Sequence, residues 1–174
     1  MLFVKFEQLL MNFNMKFYLK PILSVFALAI LLGYAGCGPD GGDETSEEEV
    51  QLGKLSGTWK VGANGDVKLG AVSKKGEYSD FTLILTGTPG ATSYGYTTSG
   101  RPPLSPWPAA GTWNFGTDVT KDAVRDKGTN GQLEMNYIVN GDNLEISFNY
   151  QGGGEPARTS EVKGSWVFNL TKQQ

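Results

Sequence analysis

Apolar and polar residues alternate with a period of two through most of the chain after residue 54. In the run 133–139 Leu, Met, Tyr and Val occupy every second position, and the run 143–150 repeats the pattern. Such alternation is typical of antiparallel strands that bury one face. No stretch within 54–171 has a 3.6-residue period over a helical length. The pattern predicts an all-β domain of eight or nine strands, near residues 55–62, 66–72, 79–86, 92–98, 111–116, 122–126, 132–140, 143–150 and 160–171.

Turn-forming residues separate these strands. Asn140-Gly141 lies between two alternating runs and predicts a tight hairpin, with Val139 opposite Asp142. A turn at Gly141-Asp142 keeps the same residues on each face, so the pattern leaves this register open.

Three tryptophans each follow a glycine in a Gly-Thr-Trp or Gly-Ser-Trp sequence, at similar intervals along the chain. Glycine allows a bend or a close approach, and the large aromatic side chain then fills a layer of the core. We expect this core role, rather than stacking on a ligand, for Trp59, Trp113, Trp166 and the neighbouring Phe168.

The start of the chain has the pattern of an export signal. Lys16 and Lys20 precede an uncharged segment whose apolar run, Ile22–Leu32, is too short to cross a membrane as a helix. Ala35-Gly36-Cys37 then resembles the lipobox of bacterial lipoproteins, with a tyrosine in place of the usual leucine. We predict a signal peptide over 1–36 and lipidation of Cys37. We also predict that translation starts at Met15, so that residues 1–14 are not part of the protein. The alternative is a short buried helix with an incidental cysteine.

Residues 37–53 are rich in glycine and carboxylates, which predicts a disordered acidic tether. The tether is either a solvated spacer or, by its resemblance to acidic surface-export signals, a device for display. The resemblance to lipoproteins implies anchoring to the outer membrane through lipid, on the periplasmic or the cell-surface face.

Composition narrows the chemistry. The chain has a net charge of −3, no histidine and one cysteine. The absence of histidine excludes histidine-dependent catalysis, and lipidation of Cys37 would leave no thiol nucleophile. Catalysis by carboxylates alone stays open, and no basic cluster is present to bind nucleic acid. Asp118, Asp122 and Asp126 recur at four-residue spacing, and we interpret them as solvated loop charges rather than as a metal or acid–base site. We expect a non-enzymatic protein without metal or cofactor, and its oligomeric state stays open.

Several segments resemble lipocalin-like bacterial lipoproteins. Leu55–Val61 resembles the opening Gly-x-Trp strand, 164–170 resembles the closing strand, and an Arg-Asp-x-Gly turn occupies 125–128. The Thr-Asp-Tyr motif and the C-terminal helix of true lipocalins are missing. The resemblance implies a single antiparallel lipocalin-like β-barrel over 54–174, with a flattened β-sandwich as the alternative.

The segment Arg101–Pro108 contains four prolines and cannot form a central strand. One interpretation is a lid in which Trp107 stacks on a ligand and Arg101 pairs with an anion. The other is a loop that folds back and plugs one barrel end with Trp107. Tyr94 and Tyr96 either line a ligand cavity or fill it.

The sequence therefore favours binding of a small apolar or amphipathic ligand inside a membrane-anchored barrel. The alternative is a surface-exposed accessory module that binds a glycan or a protein partner. A barrel of about eight strands has room for one small ligand or for its own side chains alone. A hollow or a packed interior separates the two functions.

Overall fold

The computed structural model describes residues 45–152 and 160–174, which belong to one compact unit, Thr45–Gln174. The predicted signal peptide, Cys37 and tether residues 37–44 lie outside the described residues. The described chain contains a helix, α1 (Glu47–Leu55), a 3₁₀ turn (Ser160–Val162) and ten strands. The strands are β1 (Gly57–Lys60), β2 (Asp66–Leu69), β3 (Val72–Ser73), β4 (Thr82–Thr86), β5 (Tyr94–Ser99), β6 (Ala110–Phe115), β7 (Asp122–Arg125), β8 (Leu133–Asn140), β9 (Asn143–Tyr150) and β10 (Gly164–Lys172).

Eight of these strands close into an antiparallel barrel. Strands β4 to β10 follow one another as a meander, and β1 joins the two ends because it pairs with both β4 and β10. The closing contact is short, with Trp59 opposite Lys172 and Lys60 opposite Thr171. The predicted all-β barrel is confirmed, and the flattened sandwich is not what the chain forms.

Of the two further strands, β2 continues β1 along the edge of β10, and β3 pairs with β2. A loop over 61–65 interrupts the pairing with β10, and β2 then continues it, with Asn169 opposite Asp66. At Gly70, whose φ is 58°, the chain reverses into the two-residue strand β3. The prediction of one strand over 66–72 is wrong, since glycine in the left-handed region creates a hairpin within it.

The hairpin between β8 and β9 resolves the open register. Asn140 pairs with Asn143 and Val139 with Leu144, so the turn is Gly141-Asp142. Gly141 has a φ of 56°, the positive value that type II′ hairpin turns require at their first central position.

Helix α1 is the main departure from the sequence prediction. The expected disordered tether is wrong over Glu47–Gly53, where the chain is helical. Ser46 caps the helix by accepting a hydrogen bond from the Glu49 backbone N–H, and three glutamates in the first turn suit the positive end of the helix dipole. Leu52 and Leu55 are buried, which supplies the tertiary packing that so short a helix needs. No helix in the described part of the chain is long and apolar enough to cross a membrane.

Two of the three Gly-x-Trp segments have the same local structure. Gly57 and Gly164 both have a φ of 135°, and each follows a helical turn. The Trp59 indole Nε1 donates to the Leu55 carbonyl at 2.8 Å, and the Trp166 Nε1 donates to the Val162 carbonyl at 2.8 Å. In both cases the glycine turns the chain so that the indole bonds four residues back.

The four residues expected in the core are all buried: Trp59, Trp113, Trp166 and Phe168. They belong to one cluster of apolar and aromatic side chains that fills the barrel from end to end. Inward positions of the strands supply most of this cluster, as the alternation predicts.

Candidate functional site

The proline-rich segment folds into the barrel. Trp107 is 1% exposed, and its ring lies 5.5 Å from the ring of Tyr96 and 5.9 Å from that of Phe148. Phe81 and Phe168 complete its surroundings. The position of Trp107 matches the plug interpretation, because the prolines hold an extended excursion that returns its one aromatic residue to the interior.

A buried arginine holds this plug in place. The Arg125 guanidinium is 5.2 Å from the centre of the Trp107 ring, and its Nη1 donates to the Pro106 carbonyl at 2.8 Å. Its Nε lies 3.3 Å from the Asp126 carboxylate. Because Arg125 is 1% exposed, its charge depends on these partners in place of water.

Asp126 contacts Arg125, Thr112 and Tyr96 through its carboxylate. Its Oδ1 accepts from the Thr112 backbone N–H at 2.9 Å and its Oδ2 from the Tyr96 hydroxyl at 2.9 Å. Its φ of 51° is the only positive value at a non-glycine residue within the described ranges. The Arg-Asp-x-Gly turn therefore connects strands β5, β6 and β7 to the plug.

The sequence marks Arg125 only as part of a turn and does not mark Tyr78 or Ser105 as residues of the site. The Tyr78 hydroxyl donates to Ser105 Oγ at 3.2 Å, and the same Oγ accepts from the Trp107 backbone N–H at 3.2 Å. A serine two residues before a buried aromatic residue is the available signal, since serine favours local turns of this kind.

Helix α1 closes the end of the barrel at which β1 begins. The Tyr94 hydroxyl donates to the Glu48 carboxylate at 2.5 Å. Burial and this carboxylate raise the pKa of Tyr94 to about 12. A Cβ at Gly87 would lie 2.7 Å from Leu52 Cδ1, so the helix docks at a position that only glycine leaves open.

The two plugs meet inside the barrel. Leu55 from α1 and Trp107 from the proline-rich segment both line a cavity of about 20 Å³. The other lining residues are apolar or aromatic side chains of the strands: Leu85, Tyr96, Trp113, Ala123, Met135, Tyr137 and Ile146. A volume of this size holds about one water molecule.

The four predicted ligand contacts do not form one site. Tyr96 and Trp107 both line the cavity, whereas the Tyr94 ring packs 4.8 Å from that of Trp113. Arg101 is half-buried and makes no ion pair with any described residue. Their role as ligand contacts stays a prediction.

The interpretation of the three aspartates as solvated loop charges is wrong for Asp126, whose side chain is 15% exposed and accepts hydrogen bonds from Tyr96 and Thr112. The other two are linked, since the Asp118 backbone N–H donates to Asp122 Oδ2 at 3.2 Å. Asp118 accepts two hydrogen bonds from Thr120 and pairs with Lys121 at 3.1 Å, which lowers its pKa to about 2. Asp122 accepts from the Asn136 amide, and Asp126 belongs to the turn described above. No group of three potential metal-ligating side chains occurs among the described residues.

Comparison with protein-family models, with curated proteins and with solved structures finds no match to this chain.

Proposed function

We propose that this protein is a non-enzymatic recognition module that acts through the outer surface of its barrel. The observation that carries the proposal is the filled interior. Small-molecule sites typically have about 300–1,000 Å³. The cavity between the two plugs has about 20 Å³.

The way the interior is filled also supports recognition from outside. The Arg125 guanidinium bonds to the Pro106 carbonyl, so withdrawal of Trp107 would leave a buried charge without part of its support. At the other end, α1 is fixed by the buried side chain of Leu52 and by the bond between Tyr94 and Glu48. An internal ligand would need one of these plugs to leave.

The proposal includes attachment of the module to the outer membrane through lipid on Cys37. The carboxylate-rich linker before Ser46 would then separate the barrel from the bilayer. Replacing Cys37 with serine is expected to leave the barrel folded and to move the protein into the soluble fraction of the cell. Retention of the serine variant in the membrane fraction would contradict the anchoring.

A binding experiment distinguishes recognition at the outer surface from binding of a small molecule inside the barrel. The full chain carrying Cys37→Ser is titrated with a fluorescent fatty acid and, separately, tested on arrays of glycans and envelope proteins. We expect no saturable binding of the fatty acid and binding of an array component. Saturable fatty-acid binding with a change in tryptophan fluorescence, and no array component bound, would overturn the proposal.

A second candidate is carriage of a small apolar ligand inside the barrel. It is favoured by the buried Trp107 Nε1, which has no hydrogen-bond acceptor among the described residues, and by the apolar lining of the cavity. An internal ligand predicts that Leu55→Ala, which enlarges the cavity, strengthens fatty-acid binding. Unchanged binding in that variant would count against carriage.

A further inference from the structure

An outer face of the barrel holds a groove lined by amide side chains. It lies across β8, β9 and β10, beside the loop between β1 and β2, and has a volume of about 300 Å³. We call it the amide groove after four of its ten lining residues, Asn64, Asn140, Asn143 and Asn169. Ile138 and Glu145 also line it.

The strand register brings these side chains together. Ile138 lies opposite Glu145, and Glu145 lies opposite Asn169. Asn140 lies opposite Asn143 in the neighbouring row. Directly opposed residues on one sheet face have Cβ atoms about 4.5–5.5 Å apart, so one small ligand spans several of them.

The amides of the groove are free. Among the described residues, the side chains of Asn140, Asn143 and Asn169 make no hydrogen bond within the protein, and neither does that of Asn64. Most amide side chains elsewhere in the described domain do bond to the protein: Asn114 to the Thr92 carbonyl, Asn136 to Asp122, Asn149 to Gln151 and Gln51 to Glu47. Unused amides therefore concentrate at this one groove.

The lining points to a neutral ligand rich in hydroxyl groups. Each amide side chain both donates and accepts hydrogen bonds, as a sugar hydroxyl does. Glu145 is the one charged lining residue and accepts from hydroxyls, but its carboxylate repels an anion. Ile138 is 63% exposed and offers an apolar contact to the C–H face of a sugar ring.

From these observations we infer that the amide groove binds a neutral oligosaccharide. A bound peptide strand is not favoured, since the backbones of β8, β9 and β10 are already paired with one another at this place. The inference rests on the proposed function and names the ligand class and the place for it.

The test uses the full lipid-anchored chain in nanodiscs. It is exposed to an array of neutral oligosaccharides built from hexose and pentose units, beside sulfated and uronic-acid-containing glycans. We expect saturable binding of at least one neutral oligosaccharide. Binding of acidic glycans only, or of no neutral glycan, overturns the inference.

Variants then locate the site. Asn64→Ala and Asn169→Ala each remove an amide from the groove, and each is expected to weaken binding of the neutral oligosaccharide about tenfold. Asn149→Ala is the matched control, since Asn149 is an exposed residue on β9 whose amide already bonds to Gln151. Equal affinities in the two groove variants and the control overturn the inference. Asn64 lies in a loop, so its variant stays informative if truncation of Asn169 destabilises β10.

The outcomes also separate this inference from the function it rests on. A glycan or protein that binds the chain with an affinity unchanged by the groove variants overturns the groove and leaves outer-surface recognition standing. Saturable fatty-acid binding to the Cys37→Ser chain without any array binding overturns both.

Discussion

At the residue scale, Arg125 shows how a charge can serve a packed interior. Its guanidinium lies over the Trp107 ring and bonds to the Pro106 carbonyl, while Asp126 balances its charge. The plug is thus held by one planar cation with three partners. Arginine suits this role because its guanidinium stacks on aromatic rings and donates in a fixed plane.

Replacing Arg125 with methionine is expected to lower the free energy of unfolding by about 3 kcal/mol. This is the low end for a broken buried pair, because the Asp126 side chain keeps 15% exposure. Urea denaturation followed by tryptophan fluorescence measures the loss. Arg125→Lys keeps the charge and is expected to cost less, and a methionine variant as stable as the wild type would contradict the clamp.

Asp118 provides a local test of the loop between β6 and β7. Its pKa is about 2 because Thr120 donates two hydrogen bonds to it, with Lys121 beside it. The stabilisation from this group is present above its ordinary pKa of 3.8 and is lost as the pH falls towards 2. Carboxyl-carbon NMR titration is expected to show this midpoint, and Thr120→Ala is expected to return it towards 3.8. An unchanged midpoint in the variant would show that the Thr120 hydroxyl is not the cause.

At the element scale, α1 and the Gly-x-Trp turn after it form one end of the barrel. Gly53→Ala on the helix surface, where no atom lies within 4 Å of the added Cβ, is expected to raise the free energy of unfolding by about 0.5–1 kcal/mol. Gly57→Ala is expected to lower it by about 1–3 kcal/mol, because Gly57 has a φ of 135°. Thermal denaturation followed by circular dichroism compares the pair, and shifts of the same sign would contradict the account.

The bond between Tyr94 and Glu48 makes α1 sensitive to alkaline pH. The pKa of Tyr94 rises from 10.0 to about 12 on folding, so its contribution to stability is present below pH 10 and is lost as the pH rises through 12. Tyr94→Phe is expected to make the alkaline loss of stability shallower. Denaturation curves from pH 8 to 12 test this, and an identical pH dependence in wild type and variant would contradict it.

The alternation of apolar residues was sufficient to predict strands that bury every second residue, such as β8 and β9, because a one-residue shift would expose every core side chain of a strand. It did not predict the turn at Gly70 that separates β2 from β3. It also did not predict α1, since only three residues of this short helix, Gln51, Leu52 and Leu55, are buried. The Ser46-x-x-Glu49 sequence was the available sign, since it matches a helix capping box. The direction of Trp107 was not predictable either, because prolines specify an extended chain but not the side to which it returns.

At the scale of the whole molecule, the described domain is a closed barrel with a plug at each end. The cavity between the plugs has about 20 Å³. The amide groove differs from this filled interior, because its asparagine side chains make no hydrogen bonds to other described residues. Strand register created it by aligning asparagines from three strands, and no local motif marks such an alignment in the sequence. The core and the proposed recognition surface thus use opposite faces of the same strands.

The filled interior, on which the proposal of outer-surface recognition rests, is tested most directly by native mass spectrometry of the full chain purified from cells. A filled interior predicts the mass of the protein, with any lipid that is attached to Cys37, and no small molecule held inside the barrel. A stoichiometric additional mass that is lost only on unfolding would show that the barrel carries a ligand inside and would contradict the account.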